Sequence, residues 1–274
     1  MFDIFTDSAS NLTPDLYAPL GINIISYMCD LGGKEFICYD ENRPFDETAH
    51  EFYTKMREGA EVNTTLINAG RLTDLFEPSM KDGRDVLYIG MSSALTGTIQ
   101  AAKVAAAALC EKYPGLRCEI CDTLAAGLGE GFLVLEAGKL RQSGKSLDEV
   151  FSWLEQNKLV LSEVFTVEDL KYLRHGGRIS GTAALVGNIL HVKPVLRTIN
   201  DGSLALFTKT LGRRRALDAL VEQFKLRALP GPLTVGITHA DCEEDANYIA
   251  SQITALRPEC RIIIRLQELC TGGH

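Results

Sequence analysis

"RDVLYIGMSSALTGTIQAAKVAAAALCEKY", residues 84–113, decides the fold. It opens on an apolar run, Val86-Leu87-Tyr88-Ile89, short enough for a buried strand. It closes on an alanine-rich run, and alanine is the best helix former. Between them "GMSSALTG", residues 90–97, is a turn with two adjacent serines. A strand that hands over to a helix through a short turn is one βα unit. Repeats of that unit build a parallel sheet covered on both faces. Ligands of such sheets bind at the carboxyl ends of the strands. There the first N–H groups of the helix are unpaired and favour an anion. Ser92 and Ser93 each add a hydroxyl donor at that place. The competing role for one of them, or for Thr96, is to cap the helix, worth about 1 kcal/mol.

The flanking sequence repeats the unit. "MFDIFTD" (1–7) predicts a strand, and "NLTPDLYAPLG" (11–21) a helix capped by Thr13, with Pro14 in its first position and Gly21 at its end. "INIISYMCDLGG" (22–33) predicts a strand and a turn. "FDETAHEFYTKMREG" (45–59) carries Phe45, Ala49, Phe52 and Met56 on one helical stripe. A short helix over 68–83, a strand over 116–122 and a helix over 128–144 follow. The helix over 146–158 has Ser146 and Glu149 spaced as a capping box.

After Lys158 the pattern changes. A strand is expected over 159–167, a short helix ending at Gly176-Gly177, and a small helix inside 182–190. Two strands joined through Asn200-Asp201-Gly202 make a hairpin signal. A helix (213–229), a strand (233–240), a helix (241–258) and a last strand (260–268) complete the chain. A hairpin together with a βαβ unit implies a mixed sheet. The boundary falls at 158–161, which gives lobes of residues 1–159 and 160–274.

Composition excludes several classes. The chain has 274 residues, 46% hydrophobic and 23% charged, as in soluble globular proteins. No apolar run is long enough to span a bilayer, and no basic, then apolar, leader opens the sequence, so a cytoplasmic location is expected. The eight cysteines are scattered and expected to be reduced. The CxxC pair, Cys118 and Cys121, sits in a strand rather than at a helix start, so neither metal nor redox function is expected from it. The net charge is −8, yet residues 171–215 carry nine Lys/Arg against Asp201 alone. That segregation suits docking of an acidic partner or a phosphorylated ligand. The sparse aromatics and the acidic remainder argue against nucleic acid. No GxxxxGK[ST] is present, nor a GxGxxG after a strand, which argues against a nucleotide-binding kinase.

Three further loops resemble "GMSSALTG". They are "TDSASNLTP" (6–14) with Ser8 and Ser10, "EVNTTLINAG" (61–70) with Thr64 and Thr65, and "DTLAAGLGEG" (122–131) with Thr123. If all four open on one side of a parallel sheet, they form an anion site of neutral donors, suited to one carboxylate or phosphate.

These loops, with "VEDLKYLRHGGRIS", "HVKPVLRTINDGSL", "KTLGRRRAL" and a final "GGH", resemble the DegV family of bacterial fatty-acid-binding proteins along essentially the whole chain. The resemblance implies an α/β fold of two lobes: a three-layer α/β/α lobe with a mainly parallel sheet, and a smaller two-layer α/β lobe with a mixed sheet. It implies a long-chain fatty acid in an apolar tunnel between them. Thr64, Ser93 and His274 would hold the carboxylate, with Thr65 and Ser92 close by. It further implies a non-catalytic subunit of fatty acid kinase, in phospholipid metabolism, that presents the carboxylate to an ATP-using kinase partner. Arg178, with Arg213 and Arg214, would form the docking surface. No cofactor, metal or stable membrane insertion is implied. The chemistry is consistent, because a carboxylate in an apolar tunnel needs donors. Each buried CH₂ of the chain contributes about 0.8 kcal/mol without a charged anchor.

The rival is a serine hydrolase with Ser92 or Ser93 as nucleophile. "GMSSA" approaches G-x-S-x-G with Ala94 in place of the second Gly, and Asp122 and His239 would complete a triad.

Overall fold

The computed structural model describes residues 1–40, 42–168, 170–179 and 191–273. The first half runs β1 (Phe2–Asp7), α1 (Pro14–Tyr17), β2 (Ile22–Ile25), β3 (Met28–Leu31), β4 (Lys34–Ile37), α2 (Phe45–Arg57) and β5 (Val62–Thr65). It continues with α3 (Ala69–Lys81), β6 (Asp85–Gly90), α4 (Thr98–Lys112), β7 (Cys118–Asp122), α5 (Gly127–Gln142) and α6 (Leu147–Asn157). Residues 84–113 therefore form the βα unit that their pattern predicts.

Strands β2-β1-β6-β7 make a four-stranded sheet, all parallel, with Ile4 opposite Leu87 and Phe5 opposite Tyr88. Successive side chains of a strand point to opposite faces, and here both faces are core. Phe5, Val86 and Tyr88 pack with Phe76, Ile99 and Ala102 of α3 and α4. Ile4, Leu87 and Ile89 pack with Leu133, Val134, Val150 and Leu154 of α5 and α6. This is the three-layer α/β/α arrangement. The Ser146–Glu149 capping box is present, with both reciprocal hydrogen bonds.

"INIISYMCDLGG" divides where one strand is expected. β2 joins the parallel sheet, and β3 leaves it for a separate antiparallel sheet, order β4-β3-β5. The turn between β3 and β4 is Gly32-Gly33, with φ of +60° and +84°, the left-handed values that a tight hairpin needs. Thr64 and Thr65 consequently lie on β5, opposite Cys29 and Met28. They do not cap α3; Asn68 does, its side chain accepting from Arg71 N–H at 3.0 Å.

The second half runs β8 (Val164–Thr166), α7 (Lys171–His175), β9 (Val192–Thr198), β10 (Leu204–Leu211), α8 (Arg213–Arg227), β11 (Thr234–His239), α9 (Glu243–Leu256), β12 (Arg261–Leu266) and α10 (Leu269–Gly272). Both expected pairings are present, as separate sheets: antiparallel β10-β9-β8 and parallel β11-β12. Leu217 and Val221 of α8 pack with Ile237, Ile249 and Ile253. The small helix expected inside 182–190, and His274, lie outside the described residues. No helix among the described residues is long and apolar enough to cross a membrane.

The two halves are stitched together by the chain end. Asn11 donates to the Leu266 carbonyl (2.9 Å) and accepts from Glu268 N–H (2.6 Å). Tyr53 donates to the Gln267 carbonyl at 2.7 Å. Leu269 and Cys270 of α10 are buried in the core of the first half. A β-carbon on Gly272 would lie 2.0 Å from Tyr53 Oη, and one on Gly273 2.7 Å from Val62 of β5, so this close approach requires glycine.

Candidate functional site

The carboxyl ends of β1, β6 and β7 bring Asp7, Gly90 and Asp122 to one edge of the parallel sheet. The loop after β6 is knitted to the loop after β7. Ser92 N–H donates to the Ala125 carbonyl (2.9 Å), and Thr123 Oγ1 donates to the Gly90 carbonyl (2.8 Å). β5 reaches the same loop: Ile67 N–H donates to Thr98 Oγ1 (3.3 Å), and a β-carbon on Gly97 would lie 3.3 Å from Leu66. The four hydroxyl-rich segments are thus brought together, although in one of them the hydroxyl residues, Thr64 and Thr65, lie on an antiparallel strand.

Most of their hydroxyls are occupied. Ser8 donates to Glu268 (3.1 Å), and Ser10 to the Asp7 carbonyl (2.7 Å). Thr98 accepts from Tyr27 Oη at 2.9 Å. Ser92, fully buried, donates to the Gly202 carbonyl (2.9 Å) and accepts from Ala94 N–H (3.2 Å). Ser93 differs. It is exposed, and its hydroxyl makes no hydrogen bond among the described residues. Its N–H is held by Asp122 Oδ1 at 3.1 Å. Thr65 is also exposed and Thr64 half-buried. Gly90 serves a neighbour rather than a ligand, since the Tyr88 ring lies 2.6 Å from where its β-carbon would be.

Among the described residues, the second half covers this loop at two points. One is the Gly202 turn on Ser92. The other is Arg178, whose Nε donates to the Leu95 carbonyl at 3.1 Å and whose guanidinium also holds the Gly176 carbonyl. Arg213 is paired with Asp245 of α9 (2.7 Å), and Arg214 stacks on the Tyr248 ring. Beside the Gly202 turn a cleft of about 30 Å³, lined by Leu124, Leu161, Glu163, Thr198 and Asn200, has room for a water and not for an acyl chain.

Buried carboxylates under the loops escape sequence reasoning. Asp7 accepts from Tyr88 Oη (2.7 Å) and Ala9 N–H (3.0 Å); burial still pushes it up to about 6. Glu130 accepts from Thr6 Oγ1 (3.0 Å), its other oxygen has no partner among the described residues, and burial raises it well above the usual carboxylate range. Glu163 accepts from Ala126 N–H and Thr198 Oγ1 (2.9 Å), and burial raises it to about 7. Asp and Glu are ordinarily exposed, so their identity alone gives no such signal.

No histidine hydrogen-bonds to Ser92 or Ser93 among the described residues, and His239 Nδ1 accepts from Cys242 N–H at 3.2 Å. The geometry gives the serine hydrolase reading no support. Cys118 and Cys121 share β7, and burial raises both thiols, Cys118 to about 12. The described residues that lie close enough to share a metal are instead Cys29, Cys38 and Cys270.

The family model described as "Uncharacterised protein, DegV family" matches residues 1–274. The DegV domain-containing protein CPE0026 of Clostridium perfringens is 39% identical over 274 residues, which cover 100% of this chain and 93% of the relative. The fold is similar to that of a fatty-acid-binding DegV family protein from Thermus thermophilus, with a TM-score of 0.86 at 27% identity over 100% of this chain and 95% of that one. It also matches the fold of the Streptococcus pneumoniae fatty acid kinase B3 protein, loaded with linoleic acid, with a TM-score of 0.83 at 18% identity over 99% and 95%. With the family model spanning the whole sequence and a relative 39% identical along it, this chain belongs to the DegV family.

Proposed function

We propose that this chain binds one long-chain fatty acid and presents its carboxylate to an ATP-dependent fatty acid kinase, with no catalytic site of its own. The observation that carries the reading is the contrast between Ser93 and its neighbours. Around an edge where the other serine hydroxyls of the loops are bonded within the protein, Ser93 offers an exposed donor with no hydrogen bond among the described residues. Thr65 and Thr64 stand on the adjoining strand, and His274 completes the set that the resemblance implies. Ser92 acts one step back, holding the loop against Gly202. Residues 1–159 form the carboxylate-binding lobe and residues 160–274 the lobe that closes over the acyl chain. The fatty-acid-binding Thermus thermophilus protein and the linoleate-loaded Streptococcus pneumoniae protein support this reading through their shared fold. Burial of the methylenes supplies affinity at about 0.8 kcal/mol each, and the hydroxyls set orientation. Organic extraction of freshly purified protein followed by mass spectrometry tests it. Long-chain fatty acid at about one per chain is expected, and an empty extract contradicts the proposal.

A further inference from the structure

Cys29, Cys38 and Cys270 come from three separate parts of the chain: β3, the residue after β4, and α10. Their sulfurs all lie within 4.8 Å of one another, and Cys38 Sγ is 3.3 Å from Cys270 Sγ. All three are buried, at 2%, 1% and 5% exposure. We propose that these thiols form a binding site for a soft, thiophilic cation in three-coordinate geometry, and that copper(I) is the ion it takes.

The spacing supports this. Sulfurs bound at about 2.3 Å to one centre sit roughly 4 Å apart, inside the range observed. The donors are held by the fold rather than by chance. Cys29 is in register with Phe36, whose ring meets Phe52 edge-on at 5.5 Å. Cys38 N–H donates to the Tyr27 carbonyl at 3.1 Å. Cys270 rides on α10, whose first turn is capped by Glu268 accepting from Thr271 N–H at 2.9 Å. The donor set also selects the ion. Zinc takes four ligands in structural sites, or three with an open position for water. This group holds three among the described residues and is closed to solvent. Thiolate sulfur favours copper(I), which is stable at low coordination number.

Binding displaces thiol protons, so uptake strengthens as pH rises. It would clamp α10 to the β3–β4 sheet. Cys29 is the register partner of Thr64, so the clamp stiffens the strand beside the proposed carboxylate site. The thiol site does not depend on the fatty-acid reading.

The test uses the reduced full-length chain under anaerobic conditions, titrated against a chromophoric copper(I) chelator. Withdrawal of about one equivalent is expected, with X-ray absorption showing only sulfur neighbours, one from each thiol of the group. Single Cys→Ser variants at Cys29, Cys38 or Cys270 should bind more than about tenfold weaker, whereas Cys118→Ser should match the parent. Absence of copper withdrawal, equal uptake by the triple Cys→Ser variant, or a sulfur count other than the group's own overturns the proposal. Should the triple variant fail to fold, the sulfur count on the parent and uptake by Cys118→Ser still decide.

Discussion

The Ser92 hydroxyl donates to the Gly202 carbonyl across 2.9 Å, and a β-carbon on Gly202 would stand 2.1 Å from Ser92 Oγ. Gly202 also has φ +79°, so it is glycine for both conformation and space. This pair fixes the loop after β6 against the turn between β9 and β10. Gly202→Ala should destabilise the protein by at least about 2 kcal/mol, from backbone strain plus overpacking. Ser92→Ala should cost about 1–3 kcal/mol, because the buried partner groups lose their hydrogen bonds. The double variant should cost less than the sum in urea unfolding. Strict additivity would show that the two residues do not act on each other.

Ser93→Ala should separate binding from stability. The hydroxyl is exposed and makes no hydrogen bond among the described residues, so stability should change by less than about 0.5 kcal/mol. Loss of a hydrogen bond to a charged carboxylate should weaken fatty acid binding by about tenfold or more. Calorimetric titration with oleate checks it; unchanged affinity would remove Ser93 from the site.

Glu163 sets a pH dependence. Its folded pKa, about 7, lies above the ordinary 4.5, so the folded state keeps this proton longer than the unfolded chain. Its contribution to stability is therefore fully present below 4.5 and lost as pH rises through about 7. Glu163→Gln should flatten this loss, leaving the variant relatively more stable above pH about 7. Asp7, raised from 3.8 to about 6, slopes the same way and remains in the variant. Urea midpoints measured across this window check it; a parent–variant difference independent of pH would contradict it.

Arg178→Glu tests the proposed coupling to a kinase. The side chain holds Leu95 from the second half of the chain, on the loop that carries Ser93. Acyl phosphate formation with the partner kinase should fall by at least about tenfold, as for a lost charge-assisted contact, with fatty acid occupancy retained. Equal turnover in variant and parent would remove Arg178 from the docking surface.

Much of the fold is legible in local pattern. Residues 84–113 announce a βα unit, Ser146 and Glu149 a capped helix, and Asn200-Asp201-Gly202 a hairpin. β4 and β5 are not legible, because each has four residues and little alternation. The divergence of β3 from β2 depends on pairing with those short strands. At the site, the hydroxyl-rich loops are visible as a class, but their individual roles are not. Ser92 and Ser93 are identical neighbours in sequence. What separates them is Gly202, 110 residues away from Ser92. The buried Asp7, Glu130 and Glu163, and the thiol group with Cys38 and Cys270 232 residues apart, are likewise products of long-range packing.

Crystallography of the protein with a long-chain fatty acid tests most directly where the headgroup lies. A carboxylate oxygen about 3 Å from Ser93 Oγ, with the Thr64–Thr65 strand alongside and the tail between the two halves, is the expected result. A carboxylate bound away from the loop after β6, with Ser93 facing solvent, would contradict it.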